Sequence, residues 1–180
     1  HGISDASVVD DFAALQAQID YVHRTYCQDA LVEEFIDGRE INVAVLGNGG
    51  EATVLPLSEI RFDRARVKPI VSYAGKWLED SPGWLGTTPV CPAELADGEA
   101  AAIRAAALAA FRVMGCRDYA RVDIRLRDGI PWILEVNANP DISPEVGLAR
   151  SAAAAGFDYP ALIGKILDAA LRRTEKLHAA

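Results

Sequence analysis

The sequence predicts an α+β fold, a largely antiparallel sheet flanked by helices. Two hairpin signals point to the sheet. Asn48-Gly49-Gly50 and Asp128-Gly129 each separate runs of strand-forming residues, EINVAVL before the first and YARVDIRL and IPWILEV around the second. Helical stretches are interleaved with these hairpins, and no internal repeat is present. A length of 180 residues suits one domain or one and a half.

Taken in order, Asp10 or Asp11 opens a helix running to about Tyr26. Its apolar residues Phe12, Leu15, Ile19 and Val22 recur every three or four positions, one face of a helix. Glu33-Glu34-Phe35-Ile36 reads as a short strand, ended by the turn signal Asp37-Gly38. Glu40 to Leu46 alternates polar and apolar, as a half-buried strand does, and turns at Asn48-Gly49-Gly50. Glu51 to Phe62 returns as the second strand, broken near Pro56. A strand over Val67 to Tyr73 and a functional loop around Lys76-Trp77, mobile without ligand, are expected next. Pro92 to Met114 is alanine-rich and predicts a long helix ending near Gly115. Tyr119 to Leu126 and Ile130 to Val136 form the second hairpin. Two helices follow, at Pro144 to Ala155 and Tyr159 to Leu177, with Gly156 between them.

Composition narrows the partners. A formal net charge of -8 argues against a nucleic-acid partner, which calls for a clustered basic face. No run is apolar enough to span a membrane, and no signal-peptide pattern is present. The three cysteines, Cys27, Cys91 and Cys116, are widely spaced and read as reduced packing residues of a cytoplasmic protein.

The chemistry concentrates in the second hairpin. Arg121 and Asp123 lie two apart on one strand, so both face the same side, and Glu135 and Asn137 do the same on the next. Pairing about Asp128-Gly129 brings Asp123 close to Glu135. Two carboxylates and an amide on one face repel unless a cation neutralises them, and hard oxygen donors of this kind suit Mg²⁺ presenting nucleotide phosphates. Arg121 beside them would face developing negative charge. The plainer reading is a solvated polar face. The apolar flank Trp132, Ile133, Leu134 and Val136 and the asparagine-rich exit Asn137-Ala138-Asn139 favour the site. Glu33-Glu34-Phe35-Ile36 with Gly38 and Glu40 could hold adenine through backbone and ribose through a carboxylate, or be a charged edge strand. Lys76 matters only if its segment folds over phosphates.

These motifs, in this order, resemble those of the D-alanine–D-alanine ligases of the ATP-grasp superfamily. They are Leu31-Val32-Glu33-Glu34-Phe35-Ile36-Asp37-Gly38-Arg39-Glu40, Val43-Ala44-Val45-Leu46, Arg121-Val122-Asp123 and Leu134-Glu135-Val136-Asn137-Ala138-Asn139-Pro140. The resemblance implies an ATP-grasp C-terminal lobe over 38–180, with 1–37 a remnant of the preceding lobe. It implies an ATP-dependent ligase that joins a carboxylate to an amine through an acyl phosphate. Glu33 and the backbone of Phe35 and Ile36 would hold adenine, Glu40 the ribose and Lys76 a phosphate, with Leu134 also contacting the nucleotide. Asp123, Glu135 and Asn137 would hold two Mg²⁺ ions, with Mn²⁺ as an alternative. Arg121 would stabilise the tetrahedral oxyanion, and Arg121 and Lys76 would be the catalytic pair. The partners implied are small amino-acid substrates, a lysine-bearing N-terminal lobe of the same protein whose Gly-rich loop His1-Gly2-Ile3-Ser4 would end, and a second copy in a homodimer.

Three positions depart from the family pattern. Asp141 stands where Gly commonly follows Asn-x-x-Pro, Trp77 where Tyr follows the lysine, and about Val146 where a substrate-binding Ser is expected. All three fall on the amino-acid side of the site. Two alternatives therefore stand beside a D-alanine ligase: a ligase for another amino acid or peptide, and a non-catalytic domain of the same fold.

Overall fold

The computed structural model describes residues 3–178, with side chains through 174; His1 and Gly2 lie outside the described residues. The elements are α1 (Phe12–Tyr26), β1 (Arg39–Leu46), β2 (Thr53–Val54), β3 (Ser58–Phe62), α2 (Tyr73–Trp77), α3 (Pro82–Leu85), β4 (Thr87–Val90), α4 (Asp97–Val113), β5 (Tyr119–Arg127), β6 (Ile130–Asn137), α5 (Gly147–Ala154) and α6 (Tyr159–His178). No helix among them is long and apolar enough to cross a membrane. The chain forms two compact units, one of His1–Asp37 with Phe62–Thr88 and one of Gly38–Arg61 with Pro89–Ala180.

The sheet runs β4-β3-β1-β5-β6, with β2 also paired to β1. β1 is central and antiparallel to β2, β3 and β5. It is buried on both sides, so only alternate residues say which side is which. Ile41, Val43 and Val45, with Val122, Ile124 and Leu126 of β5, pack under Ile103, Ala107 and Phe111 of α4. The opposite side begins apolar, where Ala44, Leu46 and Leu55 meet Leu148, Ala149, Ala152 and Leu162 of α5 and α6. It ends polar, at Asn42 and Glu40.

α4 starts at Asp97, later than the expected Pro92. The Ala93 N–H is taken by the Leu57 carbonyl at 2.7 Å, so this stretch is tied to the sheet before a helix can form. The Glu99 carboxylate then accepts from the Ala96 N–H and caps the first turn. The helix ends as expected at Gly115, whose φ of +64 lets the Cys116 N–H reach back to the Phe111 carbonyl.

The first hairpin differs from a tight Asn-Gly-Gly turn. Val45 pairs with Val54 and Leu46 with Thr53, leaving a longer connection that contains a 3₁₀ turn at Gly49–Glu51. Asn48 is diverted: its amide donates to Asp118 and to the Ala169 carbonyl, and its oxygen accepts from the Asp118 N–H. The break at Pro56 divides the return into β2 and β3. The second hairpin turns at Asp128-Gly129 with φ of +54 and +74, the two left-handed residues of a tight turn. α5 starts at Gly147 rather than Pro144, because Glu145 is left-handed and Val146 extended.

In the first unit, Asp11 caps α1 by accepting from the Ala14 N–H at 2.8 Å. Leu15, Ile19 and Val22 are half-buried and Phe12 is exposed. Two expected strands are absent. Glu33 to Ile36 lies outside any strand. Val67 to Tyr73 is turned by local bonds, Val67 N–H to Asp63, Ile70 N–H to Lys68 and Ser72 N–H to Ile70, around Pro69, which has no N–H to give a ladder. The expected loop around Lys76 is instead the short helices α2 and α3, capped by the hydroxyls of Ser72 and Ser81. Gly75 and Gly83 let them touch: a Cβ on Gly83 would fall 2.9 Å from the Gly75 nitrogen.

Candidate functional site: a carboxylate face on the second hairpin

The hairpin of β5 and β6 does not bring Asp123 to Glu135 by its turn alone. Pairing proceeds regularly from Arg127↔Ile130 to Ile124↔Ile133. Continued without interruption, it would set Asp123 opposite Leu134 and Glu135 opposite Val122, on the α4 side, because a one-residue slip reverses the face. A bulge between Asp123 and Ile124 absorbs Leu134, and pairing resumes as Asp123↔Glu135, Val122↔Val136 and Arg121↔Asn137. That single extra residue puts both carboxylates on one face. β1 extends the row, with Asn42 opposite Asp123 and Glu40 opposite Arg125.

Asp123 accepts three hydrogen bonds. Arg121 binds it through two hydrogen bonds, Nε to Oδ1 at 2.7 Å and Nη2 to Oδ2 at 2.8 Å. Asn42 Nδ2 adds a third at 2.9 Å. Burial pulls the Arg121 pKa down, but the Asp123 bonds and the nearby charges of Asp123, Glu135 and Glu40 outweigh it and raise it, so the guanidinium is held charged. Glu135 is exposed and makes no hydrogen bond or ion pair among the described residues. The Asn137 side-chain oxygen accepts from the Asn139 N–H at 2.9 Å, and Asn139 accepts from the Tyr119 hydroxyl at 2.7 Å.

No three Asp, Glu, His or Cys side chains converge among the described residues. A cation here would rest on two carboxylates and the Asn137 amide oxygen, all hard donors of the kind Mg²⁺ takes, together with ligand oxygens. The donor chemistry fits, on condition that Asp123 exchanges part of its hold on Arg121 for the ion.

Glu40 occupies a different position from a free ribose acceptor. It is 8% exposed, and its Oε2 receives a 2.7 Å bond from Arg125 Nη2, while Arg125 Nη1 donates to the Gly38 carbonyl. Leu134 is half exposed at the bulge. Glu33, Phe35, Ile36 and Lys76 belong to the first unit. Glu33 and Lys76 are exposed, Lys76 at the end of α2, and Ile36 is buried. Of the departing positions, Trp77 is exposed, and Asp141 is held below its usual pKa by the Ser143 hydroxyl and N–H. Sequence reasoning missed Asn42, Arg125 and Tyr119. Strand alternation places Asn42 beside Glu40 and puts Tyr119 and Arg125 in step with Arg121 and Asp123, which was signal enough to find them.

The architecture is that of D-alanine–D-alanine ligase structures. The ligase from Bacillus anthracis complexed with ATP superposes with a TM-score of 0.72 at 27% identity, covering 93% of this chain and 50% of that one. The family described as D-ala D-ala ligase C-terminus matches residues 2–168, and the chain belongs to it. An uncharacterised protein, y4sG, of Sinorhizobium fredii is 41% identical over 92% of this chain and 48% of its own length. The D-alanine–D-alanine ligase of Alcanivorax borkumensis is 40% identical over 81% of this chain and 44% of its own. The chain thus spans about half the length of the curated relatives it matches.

Proposed function

We propose that the chain is the nucleotide- and magnesium-binding part of an ATP-dependent ligase of the D-alanine–D-alanine type. The observation that carries this reading is the Asp123–Glu135 pair, set on one face by the bulge at Leu134 with Arg121 beside it. Asp123, Glu135 and Asn137 would hold Mg²⁺, which supplies charge neutralisation to phosphate oxygens when bound. Arg121 donates to the oxyanion that forms when the amine attacks. Glu33, the backbone of Phe35 and Ile36, and Leu134 are assigned to the adenine end. Glu40 is assigned to the ribose, and Lys76 to phosphate. Residues 1–37 are read as part of the lobe preceding the one that begins at Gly38. In the reaction a substrate carboxylate attacks the γ-phosphate, ADP leaves, and an amine displaces phosphate from the acyl phosphate. Positioning and charge neutralisation do most of the catalytic work.

The test is the thermal midpoint with ADP and Mg²⁺, for the parent and for Asp123→Ala/Glu135→Ala. A ligand that binds only the folded state raises the midpoint. A rise confined to the parent supports the assignment; an equal rise in the double variant overturns it.

A second reading, a ligase for a different amino acid, is favoured by Trp77, Asp141 and Val146 at the three amino-acid-side positions. A product screen of the full-length gene product against varied amino acids separates the two, since D-alanyl-D-alanine as sole product ends the second.

A further inference from the structure

Tyr119 opens β5 opposite Leu46 and points, by strand alternation, to the side of Arg121 and Asp123. Its ring packs against the apolar cluster of Ala44, Leu46 and Leu148, so its base is fixed by the core that α5 and α6 complete. Its hydroxyl leaves that cluster and donates to Asn139 Oδ1 at 2.7 Å. The Asn139 N–H in turn donates to Asn137 Oδ1 at 2.9 Å. A backbone N–H can only meet an oxygen, so this bond fixes which end of the Asn137 amide turns toward it. An amide oxygen has two lone pairs, and the second is left for another partner. The segment beyond β6 has no ladder to hold it, and buried Pro140 anchors its far side.

We propose that Tyr119 is a positioning residue. Acting through Asn139, it sets the Asn137 amide oxygen toward the cation of the carboxylate face. The inference rests on the magnesium reading above and adds to it a residue from the apolar end of the same sheet face. Groups that orient a metal ligand from behind commonly change metal affinity when removed, while an ordinary surface hydroxyl changes only stability.

The test is Mn²⁺ binding in the presence of ADP, followed by electron paramagnetic resonance. The proteins are the parent, Tyr119→Phe, Asn139→Ala, the Tyr119→Phe/Asn139→Ala double variant and Asp123→Ala/Glu135→Ala, each with its thermal midpoint. The expected result is a loss of roughly tenfold in Mn²⁺ affinity in Tyr119→Phe and in Asn139→Ala. The double variant should be no worse than either single, because both cut one chain of bonds. Parent-like affinity in Tyr119→Phe, with binding abolished in Asp123→Ala/Glu135→Ala, overturns the role of Tyr119 and leaves the metal site standing. Additive losses in the double variant also overturn it. Binding that is absent from the parent, or that survives in Asp123→Ala/Glu135→Ala, overturns the metal reading and this inference together.

Discussion

The two sides of the β1–β5 sheet handle charge in opposite ways. On the side covered by α4, the charges at the rim close among themselves. Arg39 grips Glu59 with two bonds of 2.8 Å and donates to the Glu94 carbonyl, while Arg61 bridges Glu59 and Glu94. On the other side, Glu40 pairs with Arg125 and Asp123 with Arg121, but Glu135, opposite Asp123, makes no hydrogen bond or ion pair among the described residues. That side leaves an attraction for a cation, and that is where the functional reading lies.

Four changes would break or sharpen this contrast. The largest effect is expected on the α4 side, where Phe111→Ala opens a cavity in a fully buried cluster and should cost roughly 3–5 kcal/mol in urea unfolding. A loss below about 1 kcal/mol would mean that the cluster does not carry the fold. Glu135→Ala should leave stability within about 0.5 kcal/mol, as an exposed substitution does. It should lower ATP-dependent turnover of the full-length gene product by at least about 100-fold, and near-normal turnover would remove the metal assignment. Smaller is the acid sensitivity of the α4 rim. The Arg39 hydrogen bonds hold the Glu59 carboxyl below its usual pKa against the opposing effect of burial, with Arg61 assisting. Its contribution is therefore present above the ordinary carboxylate range and is lost as pH falls through the lowered value. Unfolding free energy measured from pH 7 to pH 3 should fall less steeply in Glu59→Gln than in the parent; identical slopes would refute the coupling. The smallest effect is expected from deleting Leu134. Ile133 would still pair with Ile124, and Glu135 would follow opposite Asp123, so affinity for Mn²⁺ alone, without nucleotide, should stay within about threefold. Loss of binding would show that the bent backbone of the bulge, rather than its register, makes the site.

Much of the fold was legible because it rests on local signals. Asp11 capped the first helix, Gly115 ended the long one, and Asp128-Gly129 set the second hairpin, each through its own backbone preference. Misses came where a distant partner overrode the local preference. Asn48 was drawn to Asp118 and Ala169 instead of forming a tight turn, and the backbone of Ala93 went to Leu57 instead of to a helix. Val67 to Tyr73 had the residues of a strand but found no ladder. At the site, Arg121, Asp123, Glu135 and Asn137 were legible as strand residues two apart. Alternation also put Asn42, Arg125 and Tyr119 on that face, but the bonds they make, to Asp123, Glu40 and Asn139, depend on which strands and loops come together.

By itself, then, the sequence determined the elements, their antiparallel pairing about Asp128-Gly129 and the residue types that gather on one face, because turn chemistry and alternation act within a few residues. Tertiary structure decided the register. A regular ladder from that turn sends Glu135 to the core side, and only the bulge at Leu134, held in a sheet packed on both faces, returns it to face Asp123. It also decided the commitments of the charges, tying Glu40 to Arg125 and Asp123 to Arg121, since the partner of a half-buried charge is whichever group the packed strands bring within hydrogen-bond reach.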